Sequence, residues 1–235
     1  MSLKVNTSPN PAKKASEKLI ELLNEAKNIS VLLMLSGGSA FEILNSIDTS
    51  IEFEHVTLSM LDERFSTDKL MNNFAMLAQT EFYKKAIAAG ASFLDTRIQD
   101  GESLNEAEIR FDYALKSWIR ENSGGTILAT MGIGEDGHTA GIFPHIDDEK
   151  FKYLLEQDDK FVVGYHAHNA TLSLERLSVT NHFLREYADH AIVYATGENK
   201  REALGHVLHM EGSLAQTPAR IIKEMKDAVL FTDIS

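Results

Sequence analysis

A chain of 235 residues, 43% hydrophobic and 25% charged, has the composition of an ordinary soluble domain and is long enough to bury a two-faced sheet without staples. The absence of cysteine excludes disulfides, thiolate nucleophiles and Cys-ligated zinc, and a formal charge of −12 argues against a nucleic-acid or anionic-membrane surface. The same charge requires that any anionic ligand be held by a few cations gathered locally.

Met1 to Pro11 carries no apolar signal-peptide core, so a reducing, cytoplasmic setting is expected. Pro11 to Lys27 follows a helical period with Ala15, Leu19, Leu22, Leu23 and Ala26 on one face. Val31 to Leu35 is a short apolar strand, far too short to cross a bilayer. Phe41 to Ile47 is expected as a short helix and His55 to Leu61 as a strand. Asn73 to Ala89 and Ser103 to Glu121 follow as longer helices, with Phe74, Leu77, Phe82 and Trp118 in the core. Thr126 to Met131 is a buried strand, and Asp147 to Lys150 lies in a loop. Phe161 to Tyr165, Thr171 to Thr180 and Ala191 to Thr196 are further strands. Lys200 to Met210 is helical, Pro218 opens a last helix, and Ala228 to Thr232 closes the chain as a strand. Apolar strands separated by helices, with no repeat or linker, predict one α/β domain over 1–235. The expected architecture is a mostly parallel sheet with helices on both faces, a Rossmann-like three-layer sandwich.

Four of the strands end in polar or glycine-rich sequence: Ser36-Gly37-Gly38-Ser39, Asp62-Glu63-Arg64, Gly132 to His138, and Gly197-Glu198-Asn199-Lys200. In a parallel sheet these ends share one edge, where open α/β sheets bind ligands. Gly132-Ile133-Gly134-Glu135-Asp136-Gly137 fits G-x-G-x-x-G, but Phe143-Pro144 interrupts the helix a dinucleotide site needs. Glu135 and Asp136 also put carboxylates where a pyrophosphate would lie. On spacing alone, Asp136 either orients His138 or caps a helix and leaves His138 in solvent. His166 and His168 alternate as on one strand face, with no third ligand at fixed spacing, so no metal is expected. Ser36 and Ser39 lack the G-x-S-x-G setting of a hydrolase nucleophile.

Gly132-Ile133-Gly134-Glu135-Asp136-Gly137-His138-Thr139-Ala140-Gly141-Ile142-Phe143-Pro144 closely resembles the G-x-G-x-D-G-H-T-A-S-L-F-P signature of 6-phosphogluconolactonases, which are grouped with glucosamine-6-phosphate deaminases. Ser36 to Ser39 looks like the family's S-G-G-S-T-P loop, Asp62-Glu63-Arg64 like its D-E-R element, and Asn73 like the asparagine that follows. Arg176 with Ser178 and Thr180 is similar to P-x-R-x-T-x-T, Gly197 with Lys200 to G-x-x-K, and Pro218-Ala219 to the last P-A. Ala40 and Phe41, Leu174 and His145 depart from the pattern. The deaminase branch carries D-E-Y and D-G-H-I-A-F-N-E-P, so the chain resembles the lactonases better.

The resemblance implies hydrolysis of 6-phospho-D-glucono-1,5-lactone to 6-phosphogluconate in the pentose phosphate pathway, with no cofactor. In that reading His138, which titrates near ~6.5 when unperturbed, is the base and Asp136 its orienting partner. Arg64 is a third catalytic residue, facing either the oxyanion or Asp136. The phosphate is held by the backbone of Ser36, Gly37, Gly38 and Ser39 together with Arg176 and Lys200. The expected partner is a small sugar phosphate, with no nucleic acid or membrane; oligomeric state has no signature in the sequence. Two rivals stand beside this reading, an amino-sugar-phosphate deaminase and a non-catalytic sugar-phosphate binder.

Overall fold

The computed structural model describes residues 3–47, 51–66, 68, 71–168, 174–209 and 211–235. In chain order, β1 (Lys4–Thr7) leads into α1 (Pro11–Glu25), where Pro11 occupies the first turn and costs no hydrogen bond. Next come β2 (Val31–Leu35), a 3₁₀ helix (Gly38–Ser46), β3 (Val56–Met60) and β4 (Asp62–Arg64). Two short helices follow, α2 (Asn73–Gln79) and α3 (Glu81–Ala88), then β5 (Ser92–Phe93). α4 (Leu104–Glu121) opens with a capping box in which Ser103 and Glu106 exchange hydrogen bonds. The second half runs β6 (Thr126–Gly132), α5 (Asp148–Leu155), β7 (Val162–His166), β8 (Glu175–Val179), α6 (Asn181–Glu186) and β9 (His190–Tyr194). A 3₁₀ turn (Glu198–Lys200), α7 (Arg201–Leu208), a second 3₁₀ helix (Pro218–Lys223) and β10 (Ala228–Thr232) complete the chain.

The main sheet is seven-stranded in the order β1-β10-β9-β6-β2-β3-β5, and every pairing is parallel. Its five central strands are apolar on both sides because both sides are covered, whereas the edge strands β1, exposed along its whole length, and β5 were not expected from the sequence. In β2, Leu32 and Met34 face one core with α4, α5, α6 and α7. Val31, Leu33 and Leu35 face the other, with α1, α2 and α3. The three-layer expectation holds for this sheet.

A second sheet was not foreseen. β4, β8 and β7 form a separate antiparallel sheet packed into the same layer as α4. Only Leu61 separates β3 from β4, so the chain leaves the parallel sheet within a residue and pairs elsewhere. Arg176 therefore belongs to the smaller sheet, with Arg64 opposite Arg176 and Asp62 opposite Ser178. Carboxylates of α4 close the outer edge of this sheet: Asp112 accepts from the backbone of Phe161 and Val162, and Glu108 from Gly164.

Several boundaries differ from expectation. The expected helix 73–89 breaks at Thr80, which ends α2 and caps α3 by accepting from Tyr83 N. Asp147 to Lys150 is the cap and first turn of α5 rather than loop, since the Asp147 carboxylate accepts from Glu149 N and Lys150 N. Of the expected strand 171–180, residues 171–173 lie outside the described residues, as does Met210 at the end of the expected helix 200–210. No described helix is long and apolar enough to cross a membrane.

Candidate active site

The carboxyl ends of β2, β3, β6 and β9 converge on one cavity of about 170 Å³. From β2 come Ser36, Gly37, Gly38 and Ser39; from β4, Asp62 and Arg64; from the β6 loop, His138; from the turn after β9, Lys200. A larger cavity of about 740 Å³ lies beside α5 and the 212–224 segment and holds none of these residues.

The β6 loop is built to fold an imidazole back over its own backbone. Gly134 N donates to His138 O at 2.8 Å, and Gly137 turns with φ +82°. A Cβ on Gly134 would lie 2.0 Å from His138 Nδ1, so only glycine leaves the ring its place. Asp136 Oδ1 takes two hydrogen bonds, from His138 N at 3.0 Å and from the ring at Nδ1, 2.5 Å away. An ionised carboxylate only accepts, so Nδ1 carries the hydrogen and Nε2 presents its lone pair. Burial works against the Asp136 charge, but hydrogen bonds and the charge of His138 outweigh it and hold the carboxyl below its ordinary value. Of the two roles open to Asp136, the structure shows the pairing with His138.

The other face of the ring is apolar. Phe143 stacks on His138 with centroids 4.5 Å apart and planes inclined by 24°. Phe143 is fixed in turn: its backbone N donates to Tyr165 Oη, which donates to Gly141 O at 2.7 Å. Gly141 N donates to Ser178 Oγ on β8. The smaller sheet thus braces the loop that carries His138.

The sequence places Asp62 at the ligand edge but does not show its contact with Asn73. Asp62 is buried, and burial pushes its carboxyl up against the pull of Arg176, Arg64 and His138. Asn73, first residue of α2, donates from Nδ2 to Asp62 O at 3.1 Å and to Asp62 Oδ2 at 3.0 Å. Both residues line the cavity. Their motif was visible in the sequence, but the contact between them spans eleven positions and depends on how α2 docks. Glu63 does that docking. Its buried carboxylate accepts from Arg64 N, Asn73 N and Phe74 N, while burial raises it to about 7.

The cations occupy different depths. Arg64 and Lys200 line the cavity; the Arg64 guanidinium also donates to Met71 O. Arg176 is 4% exposed and does not line the cavity; its guanidinium carbon lies 5.1 Å from the Phe143 ring. Burial lowers the Arg176 pKa, the Asp62 charge opposes that, and Nη1 has no partner among the described residues. Ser39 does not cap the helix it enters; the 3₁₀ turn starts at Gly38, with φ +65°, and has no side-chain cap. Of the departures from the family pattern, Ala40 is buried, Leu174 is exposed, and His145 lines a separate cavity with Phe143 and Tyr165. His166 and His168 touch ring to ring, and no described group of three or more candidate ligands is placed to hold a metal ion.

Fold and cleft together define the class: a three-layer α/β protein whose polar loops meet at the carboxyl edge of a parallel sheet around an imidazole–carboxylate pair. The chain belongs to the family of glucosamine-6-phosphate isomerases/6-phosphogluconolactonase, which it matches over residues 6–231. It is 26% identical over 204 residues to a probable 6-phosphogluconolactonase of Dictyostelium discoideum, covering 84% of this chain and 81% of that one. With the 6-phosphogluconolactonase of Mesorhizobium japonicum it shares 27% over 211 residues, 86% of this chain and 79% of the relative. Among solved structures, a 6-phosphogluconolactonase from Shewanella baltica superposes with a TM-score of 0.77 at 19% identity, covering 99% of this chain and 97% of that one. A putative 6-phosphogluconolactonase from Neisseria gonorrhoeae gives 0.74 at 21% identity, with 98% and 99% covered. At these identities the structural likeness speaks for the fold.

Proposed function

We infer that this protein hydrolyses 6-phospho-D-glucono-1,5-lactone to 6-phosphogluconate. The observation that carries the reading is the His138 Nδ1–Asp136 Oδ1 pair at 2.5 Å: the His138 ring lines a cavity shared with Lys200 and the Ser36–Ser39 loop, and Asp136 holds it from outside that cavity. The relatives named 6-phosphogluconolactonase support the choice of substrate.

In this mechanism His138 Nε2 takes a proton from water as its oxygen bonds to the lactone carbonyl carbon. Asp136 stabilises the imidazolium that results. The tetrahedral intermediate then expels the ring oxygen, which receives the proton back from His138, and the open-chain acid ionises. At the other end Lys200 supplies a point charge and the Ser36–Ser39 backbone supplies N–H donors for the phosphate. Arg64 adds a second fixed cation to the wall. Arg176, buried outside the cavity, offsets the negative charge of Asp62.

The test is hydrolysis of the lactone above its spontaneous rate, run beside an assay of ammonia release from glucosamine 6-phosphate. Catalysed lactone opening without ammonia is expected. His138→Asn should lower kcat by roughly 10²- to 10⁴-fold. Full activity in that variant would reject His138 as the base.

A further inference from the structure

Asn73 holds a buried acceptor that the fold leaves without a donor. The side chain is 3% exposed, and Oδ1 has no hydrogen-bond partner among the described residues. Its orientation is not open to exchange. Nδ2 contacts the main-chain oxygen of Asp62, which can only accept, so the amide nitrogen must face Asp62 and the oxygen must face away. The backbone is held as well, because Asn73 N donates to the Glu63 carboxylate. Oδ1 thus stays beside Gly37: a Cβ built there would lie 2.6 Å from Oδ1, and because the oxygen is closed to water a ligand hydroxyl reaches it only as the Gly37 turn shifts on binding. Both residues line the cavity.

A buried acceptor without a donor costs free energy comparable to a lost hydrogen bond, and a ligand hydroxyl recovers it. We propose that Asn73 Oδ1 accepts a hydrogen bond from the C4 hydroxyl of the lactone and so makes the enzyme specific for that hydroxyl and its configuration. This rests on the lactonase reading and on the phosphate lying against the Ser36–Ser39 loop. The rest follows from the substrate's chemistry. An ionised phosphate has no hydrogen to give. C6 carries the phosphate, and O5 is an ester oxygen without hydrogen. Moving from the phosphate into the ring, the first donor is the hydroxyl on C4. An acceptor beside Gly37 therefore selects it, and the C4 epimer directs the same hydroxyl elsewhere.

The experiment crosses two substrates with two enzymes, using the 6-phosphorylated gluconolactone and its 4-deoxy analogue, each corrected for spontaneous opening. In the unaltered enzyme, kcat/KM for the deoxy lactone should be about 30-fold below that for the parent. Asn73→Ala should lower kcat/KM about 30-fold for the parent and by less than about threefold for the deoxy lactone, since the lost contact is the same one. Equal losses on both substrates would mean that Asn73 serves only to position Asp62, and would overturn the proposal. So would an unaltered enzyme that hydrolyses both lactones, or the C4 epimer, within about threefold of the parent; this arm needs no variant to fold. An unaltered enzyme that never exceeds spontaneous opening of the parent lactone overturns the lactonase reading itself, and this inference with it.

Discussion

His138 and Asp136 share one hydrogen bond, and its value lies in the nitrogen it occupies. With Asp136 ionised, Nδ1 holds the proton and Nε2 is free to act as base. Asp136→Asn can turn its amide nitrogen to the ring and favour the opposite tautomer. That variant should lose about 10²-fold or more in kcat while KM changes little; an unchanged kcat would remove Asp136 from the mechanism. This pair was legible in the sequence because loop, ring and carboxylate lie within two residues of each other. The strand-end motif puts Asp62 at the ligand edge, but the pairing of Asp62 with Asn73 was not legible. It is a contact across eleven positions, made where burial raises the Asp62 pKa. Arg176 lies against Phe143 and opposite Arg64 in the smaller sheet, a depth no residue pattern encodes.

At the scale of elements, the docking of α2 on β4 depends on one carboxylate. Glu63 accepts three backbone N–H bonds at that junction, yet burial raises it from 4.5 to about 7. Below pH 4.5 the group is protonated in the folded and unfolded chains alike. Between 4.5 and about 7 the unfolded chain ionises first, so rising pH favours unfolding; above about 7 the cost is complete. Glu63→Gln lacks this titration. It loses hydrogen bonds at every pH, but its stability relative to the unaltered protein should improve by on the order of 3 kcal/mol between pH 4.5 and 8. Denaturant unfolding at several pH values measures this, and parallel stability curves would contradict it. The same junction shows why elements were misjudged. The apolar spacing of Phe74, Leu77 and Phe82 continues through Thr80, so the period predicts one helix. The Thr80 hydroxyl instead donates to Leu77 O and accepts from Tyr83 N, ending one helix and starting another. β4 is three residues long and takes its strand character from a partner more than a hundred positions away.

For the whole molecule, the five central strands of the parallel sheet were legible because they are apolar on both faces, whereas the more exposed edge strands β1 and β5 were not. The smaller sheet was not legible because β4 joins the β7–β8 pair from more than a hundred positions away. The carboxyl edge of the larger sheet, with β4 and α2 beside it, gathers segments near positions 36, 62, 73, 138 and 200 around one cavity. None of these segments holds the site alone, so a ligand that bridges them binds the folded chain and not the unfolded one. At a concentration of about 100 times Kd, such a ligand stabilises the fold by ~2.7 kcal/mol. For a domain of this size that raises Tm by roughly 5–10 °C. 6-Phosphogluconate, the product, is the appropriate probe because it cannot react further. In a protein of net charge −12, its binding depends on the local cations rather than on the overall field. Lys200→Ala should therefore weaken binding about tenfold or more and cut the thermal shift by about half at the same ligand concentration. His138→Asn should keep nearly the full shift, because it removes a proton acceptor and no charge needed by the phosphate. Equal shifts in Lys200→Ala and the unaltered protein would mean that the phosphate lies elsewhere. Loss of the shift in His138→Asn would mean that the ring holds the product as well as the proton, and that binding and catalysis are not divided between the two ends of the cavity.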